Sequence, residues 1–300
     1  IGRRSYTSTA MFLGIDHGTT AMRFASEIGV LKITRSDART FTLDDLDSLG
    51  PVDGIEGCAL TYSMGDAIAA FTPIGRVRNR GVVSREGAGE HVGGGTRVFD
   101  ALASSEIPTF VVPGIHRGSP TDPRFKAYSH QASPEKVGIA YLAVREVGSD
   151  VVVADVSSNT VSLLVRNGKI VGGFDACLFA PGICHGALDV EAIRRIDRGE
   201  ESANQAFMHA GVDYTVPGPE RHRTIAMFAA MECASLLLLA PDAEVVLAGS
   251  LAPLVAEEVS SLLGRSVVVR DEWAASRGLS LIARDLVAGS SDILGIPVER

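Results

Sequence analysis

Cysteine is scarce and scattered in this chain. Cys58, Cys177, Cys184 and Cys233 form no CxxC pair, which excludes a disulfide framework and a structural zinc site and fits a reduced, cytoplasmic setting. No long apolar run exists: the longest, near 234–240, is far short of a membrane span. Basic stretches are missing too. The net charge of -8 argues against a nucleic-acid surface, although a few local Arg, Lys and amide groups can still hold an anionic small molecule. Residues 1–10 lack the apolar centre of a targeting peptide and read as a disordered extension or cloning remnant.

What remains is an ordinary globular composition, 46% hydrophobic and 21% charged, over a length that accommodates two domains. One unusual local pattern occurs twice. Phe12-Leu-Gly-Ile-Asp16 reads as an apolar strand ending on a carboxylate, followed by a small polar turn (His17-Gly-Thr-Thr20) and a second strand. About 140 residues later, Val151-Val-Val-Ala-Asp155 runs into Val156-Ser-Ser-Asn-Thr160 and another strand. Each hairpin delivers an Asp and a set of small-residue amides, the surroundings a metal-bound polyphosphate needs.

The pattern extends beyond the hairpins. Strands are expected at 12–16, 21–27 and 30–34, a short helix at 43–49, a strand at 57–62, a helix at 96–104, a strand at 109–112 and a helix at 134–147. Ser133 is read as that last helix's N-cap and Pro134 as its first residue. In the second half strands fall at 151–155, 160–166 and 169–174, with Asn167-Gly168 as a type I′ turn between the last two. Helices at 189–196 and 220–239, a strand at 244–248, a helix at 251–263, a strand at 266–269 and a helix at 272–287 complete the order. Both halves therefore follow one order, strand-strand-strand-helix-strand-helix-strand-helix, which divides the chain at 11–148 and 149–300.

A duplicated ββαβαβα unit with an acidic hairpin in each half resembles the acetate and sugar kinase/Hsp70/actin superfamily. Gly14-Ile-Asp16-His-Gly18-Thr-Thr20 resembles its first phosphate motif, Asp155-Val-Ser-Ser-Asn-Thr160 its second, and Val245-Val-Leu-Ala-Gly249-Ser250 its adenosine motif. More narrowly, the wording around Ile15 to Thr20, Tyr128 to Lys136 and His185 to Arg194 is similar to the methanogenesis marker 12 family of methane-producing archaea. The resemblance implies an α/β fold of two actin-like (ribonuclease H-like) domains, with ATP and Mg²⁺ bound in the cleft between them. A dimer is implied by the small-acid kinases of the superfamily. Two departures stand out. Ser157 occupies the place where the second phosphate motif usually has glycine, and Ala180-Pro-Gly-Ile-Cys-His-Gly186 lacks the arginine of the acetate kinases, so acetate kinase activity is not expected.

The resemblance makes Asp16 a Mg²⁺ ligand, with the amides of Gly18, Thr19 and Thr20 as phosphate donors; the plainer reading is a carboxylate capping its hairpin. Asp155 reads as the second metal contact or as the orienter of an attacking water, beside Ser157, Ser158, Asn159 and Thr160, or else as an Asx-turn. Gly249 and Ser250 read as an adenosine contact or as strand-to-helix punctuation. The glycine-rich stretch 87–96 opens a helix and offers amides to an anionic substrate. The irregular, charged stretch 116–136 reads as a substrate loop above the first domain, with Arg124 or Arg117 as a bidentate anion donor and His130 as a base; it reads nearly as well as a solvated loop. A phosphotransferase or ATPase acting on a small, anionic molecule follows, with no nucleic-acid or membrane partner. The alternative is a catalytically degenerate nucleotide-binding scaffold that helps assemble a methanogenic enzyme.

Overall fold

Each half of the chain builds a sheet of its own, and the two share one strand order. The computed structural model describes residues 10–84 and 93–300, so residues 1–9 of the N-terminal extension and residues 87–92 of the glycine-rich stretch lie outside the described residues. The first half supplies β1 (Met11–His17), β2 (Ala21–Ala25), β3 (Val30–Thr34), β4 (Ile55–Leu60), the short β5 (Thr72–Pro73) and β6 (Thr109–Val111), in the sheet order β3-β2-β1-β4-β6-β5. A two-stranded ribbon follows, β7 (Ile115–His116) with β8 (His130–Ala132). The second half supplies β9 (Val151–Val156), β10 (Thr160–Arg166), β11 (Lys169–Phe174), β12 (Glu244–Ala248) and β13 (Val268–Val269), ordered β11-β10-β9-β12-β13. The two orders correspond strand for strand, with β5 as an added edge. In each sheet the acid-bearing strand is central, antiparallel to the next strand and parallel to the one beyond.

Central position explains composition. β9 is buried along its whole length and β1 along all but its last residue, so both read as continuous apolar runs. The expected turn at Asn167-Gly168 forms, with φ of 52° and 69°. The predicted 43–49 helix is a 3₁₀ helix, Leu43–Leu49, and the ribbon interrupts the otherwise regular repeat.

Helices cover the sheets: α1 (Gly94–Ala103), α2 (Glu135–Val147), α3 (Val190–Asp197), α4 (Ala203–Met208), α5 (Val212–Thr215), α6 (Arg221–Leu237), α7 (Ala252–Leu263) and α8 (Ala274–Val287). The outer face of the first sheet buries Leu13, Phe24, Phe41 and Leu46 with Val98 and Leu102 of α1. That of the second buries Val152, Ala154 and Leu247 with Ile225 and Cys233 of α6 and Val255 of α7. Between the sheets lie α2 and α8, and they cross over: the last helix of the chain packs on β1 and β4, while α2 packs on β9 and β10. Glycine permits the close approach. A Cβ on Gly278 would stand 1.9 Å from the Gly138 carbonyl oxygen, and one on Gly14 2.0 Å from that of Ser276. A short C-terminal hairpin, β14 (Asp292–Ile293) with β15 (Ile296–Pro297), ends the fold.

Candidate functional site

β1 holds Asp16 at its buried end, opposite Arg23 of β2. Arg23 Nη1 is 3.5 Å from Asp16 Oδ2, and the same guanidinium lies 3.1 Å from Glu272, just ahead of α8, which Lys32 also binds at 2.8 Å. Asp16 Oδ1 is buried and has no hydrogen-bond partner among the described residues. Burial, helped by the nearby Glu135 carboxylate, pushes Asp16 up to about 7, against the pull of Arg23 and Lys136.

β9 places Asp155 at the corresponding point of the second sheet. Its Oδ2 lies 2.8 Å from Lys136 Nζ, which also donates to Glu135 Oε1 at 2.6 Å. Lys136 is only 3% exposed. Burial opposes its charge, but Asp155 and Glu135 hold its ammonium well above the ordinary lysine range. Gly249, with φ of 100°, presses on the same carboxylate: a Cβ there would be 2.3 Å from Asp155 Oδ1.

Asp16 and Asp155 line one cleft, together with Glu135, Ser157, Gly249 and Ser250. The room in it is ≈ 50 Å³, enough for a few water-sized molecules and far too small for a nucleotide. Among the described residues no three His, Cys, Asp or Glu side chains form a group that could hold a metal ion. One orphaned, buried carboxylate oxygen on Asp16 instead suits Mg²⁺, which keeps most of its waters and takes one or two carboxylates plus phosphate oxygens.

The two turns differ in what they offer. Thr19 and Thr20 are exposed, beside Gly18, whose α-carbon sits under the Arg23 guanidinium. The second turn is tied down. Ser157 donates its amide to the Asn159 carbonyl at 2.9 Å and accepts from Ile183; the Ser158 carbonyl accepts from Cys184 and His185. Thr160 is buried, its hydroxyl donating to the Pro181 carbonyl at 2.8 Å, and the Asn159 backbone lies against Gly182. His17 packs against Gly95 at the start of α1, stacks on Tyr62, and is held neutral by burial and by Arg35.

Arg124 and His130 lie elsewhere. The segment expected above the first domain packs on the second sheet, because Phe125 fills the space left by the missing side chain of Gly172 and joins the β9–β12 core. Arg124 is 71% exposed and grips Asp122 with two nitrogens; Arg117 donates to the carbonyls of Lys126 and Ala127. His130 bridges the halves: Nδ1 is 3.0 Å from Asp175 Oδ2 and Nε2 3.2 Å from the Met64 carbonyl. Although burial disfavours its charge, Asp175 holds His130 above its ordinary range, and a protonated ring satisfies both acceptors.

Glu135 and Lys136 are the site residues that sequence reasoning passed over, treating them as helix start and loop charge. Ser133 does not cap α2 with its side chain; its hydroxyl donates to Glu135 Oε1 at 2.8 Å. The available signal was a lysine at the leading edge of the apolar stretch Val137 to Val144, where only an ion pair makes burial tolerable.

No family model matches the chain. A UPF0285 protein of Methanosarcina mazei is 44% identical over 322 aligned positions, covering 96% of this chain and 99% of the relative. The chain belongs to the UPF0285 family. Its members include a protein of Methanocaldococcus jannaschii, 41% identical across 96% of this chain and 98% of that relative. These UPF0285 relatives are archaeal and methanogen-associated. Among solved structures, a ROK hexokinase from Thermus thermophilus superposes with a TM-score of 0.50 at 15% identity, covering 93% of this chain and 100% of that one. At that identity the likeness concerns fold, and it makes the UPF0285 chain a two-domain kinase fold of the actin-like kind. No helix among the described residues is long and apolar enough to cross a membrane.

Proposed function

We propose that this UPF0285 protein is an ATP-dependent phosphotransferase or ATPase that closes two lobes on Mg·ATP and acts on a small, anionic molecule. The observation that carries this reading is the meeting of Asp16 and Asp155, from two duplicated hairpins, in one cleft, with an Asp16 oxygen that has no partner among the described residues. The archaeal, methanogen-associated relatives support membership of the methanogenesis marker 12 family and a cytoplasmic role linked to methanogenesis.

Asp16 would take the metal, and the amides of Gly18 and Thr19 would receive phosphate oxygens at the exposed turn. Bound Mg²⁺ would supply neutralisation of the polyphosphate charge. Gly249 lets the Asp155 carboxylate sit close against its backbone, and Ser250 next to it would contact the nucleotide. Glu135, fixed by Ser133 and Lys136, is placed to accept a proton from a water or an acceptor hydroxyl. Catalysis then rests on positioning and charge compensation in a site from which water is excluded. The small cleft requires the lobes to part for entry.

Mg·ADP or Mg·ATP at millimolar concentration should raise the melting temperature, and Asp16→Ala should abolish the rise; no response in the wild type overturns the reading. One observation favours the scaffold alternative: the Ser157 amide is engaged within its own turn. Nucleotide binding without phosphate release, together with a co-purifying protein, would decide for the scaffold.

A further inference from the structure

The cleft is rich in carboxylates. Asp16, Glu135, Asp155, Asp271 and Glu272 all line it, and Arg23 is the cation among the lining residues. Arg23 belongs to the Glu272 side. Behind the opposite wall, Lys136 Nζ sits between Glu135 Oε1 at 2.6 Å and Asp155 Oδ2 at 2.8 Å, both short, charge-assisted contacts. The first turn of α2 carries Lys136, and that helix is clamped between β9 and α8, so the ammonium has little freedom to leave.

Two carboxylates bridged by one cation is the arrangement that a second metal ion produces in two-metal phosphoryl-transfer sites. Here a lysine occupies the bridge. We propose that Lys136 is the resident counter-cation of the cleft: it holds Glu135 and Asp155 in fixed relation and restricts the site to a single divalent cation, bound at Asp16. Lys136 is thus a positioning residue, acting through two carboxylates, and it determines metal stoichiometry. Among the described residues one buried Asp16 oxygen has no partner, whereas the Asp155 oxygen facing α2 is already neutralised. This inference rests on the metal–nucleotide reading of the site.

Removing the lysine charge leaves Glu135 and Asp155 to attract a cation from solution, with an effect that should exceed about tenfold in affinity at such short range. The test is titration of Mn²⁺ alone, without nucleotide, against wild type, K136R and K136M, following free Mn²⁺ by its paramagnetic signal. Wild type and K136R should bind one ion per chain. K136M should bind two, or one at least tenfold more tightly, while losing affinity for Mg·ADP. A purely structural lysine would weaken both ligands together, and that result overturns the inference. The double variant K136M/D155N removes opposite charges at once and keeps the test open if K136M does not fold; it should return to one ion, and two ions there count against the proposal. A wild type that binds no Mn²⁺ overturns this inference, whereas the functional reading is decided separately by the Mg·ADP response in melting temperature. A wild type that binds one, beside a folded K136M that binds one no more tightly, overturns this inference alone.

Discussion

Gly249 lies edge-on to Asp155: a methyl group on its α-carbon would stand 2.3 Å from the Asp155 carboxylate and 2.6 Å from the Val156 carbonyl oxygen. The residue also has a φ of 100°, which side-chain-bearing residues rarely adopt. Gly249→Ala should therefore cost about 1–3 kcal/mol of stability from backbone strain, read by urea unfolding. It should also push the Asp155 carboxylate and reduce the Mg·ADP-induced rise in melting temperature. A neutral effect on both would remove Gly249 from the site.

Asp16 carries a pH signature. In the unfolded chain it gives up its proton near 3.8, and in the folded protein near 7. Between those values the folded state holds a proton that the unfolded state has lost, so stability falls as pH rises from about 4 to about 7, and the loss persists above 7. Asp16→Asn removes that penalty. It should stabilise the ligand-free protein by about 1–4 kcal/mol at pH 8 and hardly at all at pH 4. Gain of stability with loss of the nucleotide response is the expected pair of outcomes in chemical denaturation and thermal shift.

His130 gives a pH dependence of the same sign, but from a favourable contact that is lost at higher pH rather than from a penalty that sets in. Its folded value is raised by Asp175, so the bridge contributes stability that is complete below the ordinary histidine value and disappears as pH climbs through the folded one. His130→Gln should flatten the part of the stability–pH profile that lies above the ordinary histidine value. It should leave the Asp16-dependent slope between about pH 4 and 7 in place. Urea midpoints at half-unit pH intervals distinguish the two.

Gly278 and Gly138 set the distance between the two crossing helices. With a carbonyl oxygen 1.9 Å from the added methyl, Gly278→Ala should force α2 and α8 apart and destabilise by about 1–3 kcal/mol or more. Gly218→Ala, where nothing lies within 4 Å of the new methyl, is the control and should stay within about 0.5 kcal/mol. Because α2 carries Glu135 and Lys136, the Gly278 variant should also lose nucleotide response.

The hairpins were readable because their signals are local. Apolar runs at 12–16 and 151–155, a carboxylate and a turn of small residues specify a strand, its end and its reversal within ten residues of chain. The segment around Arg124 was misread because its anchor is distant: Phe125 is held by a gap at Gly172, and no pattern within 116–136 reports that gap. Lys136 was legible only as an oddity in an apolar helix, since its partners include Asp155, which folding brings to it.

By itself, then, the amino-acid order determined the duplicated unit, the strands that end in Asp16 and Asp155 and the glycine turns beside them, because short-range periodicity and turn chemistry decide such features. Only the tertiary structure decided that α8 returns to the first sheet while α2 goes to the second, that both acids face one cleft, and that an ammonium group stands between Glu135 and Asp155. Those outcomes follow from helix-to-sheet packing across most of the chain, where the burial of whole faces outweighs any local preference.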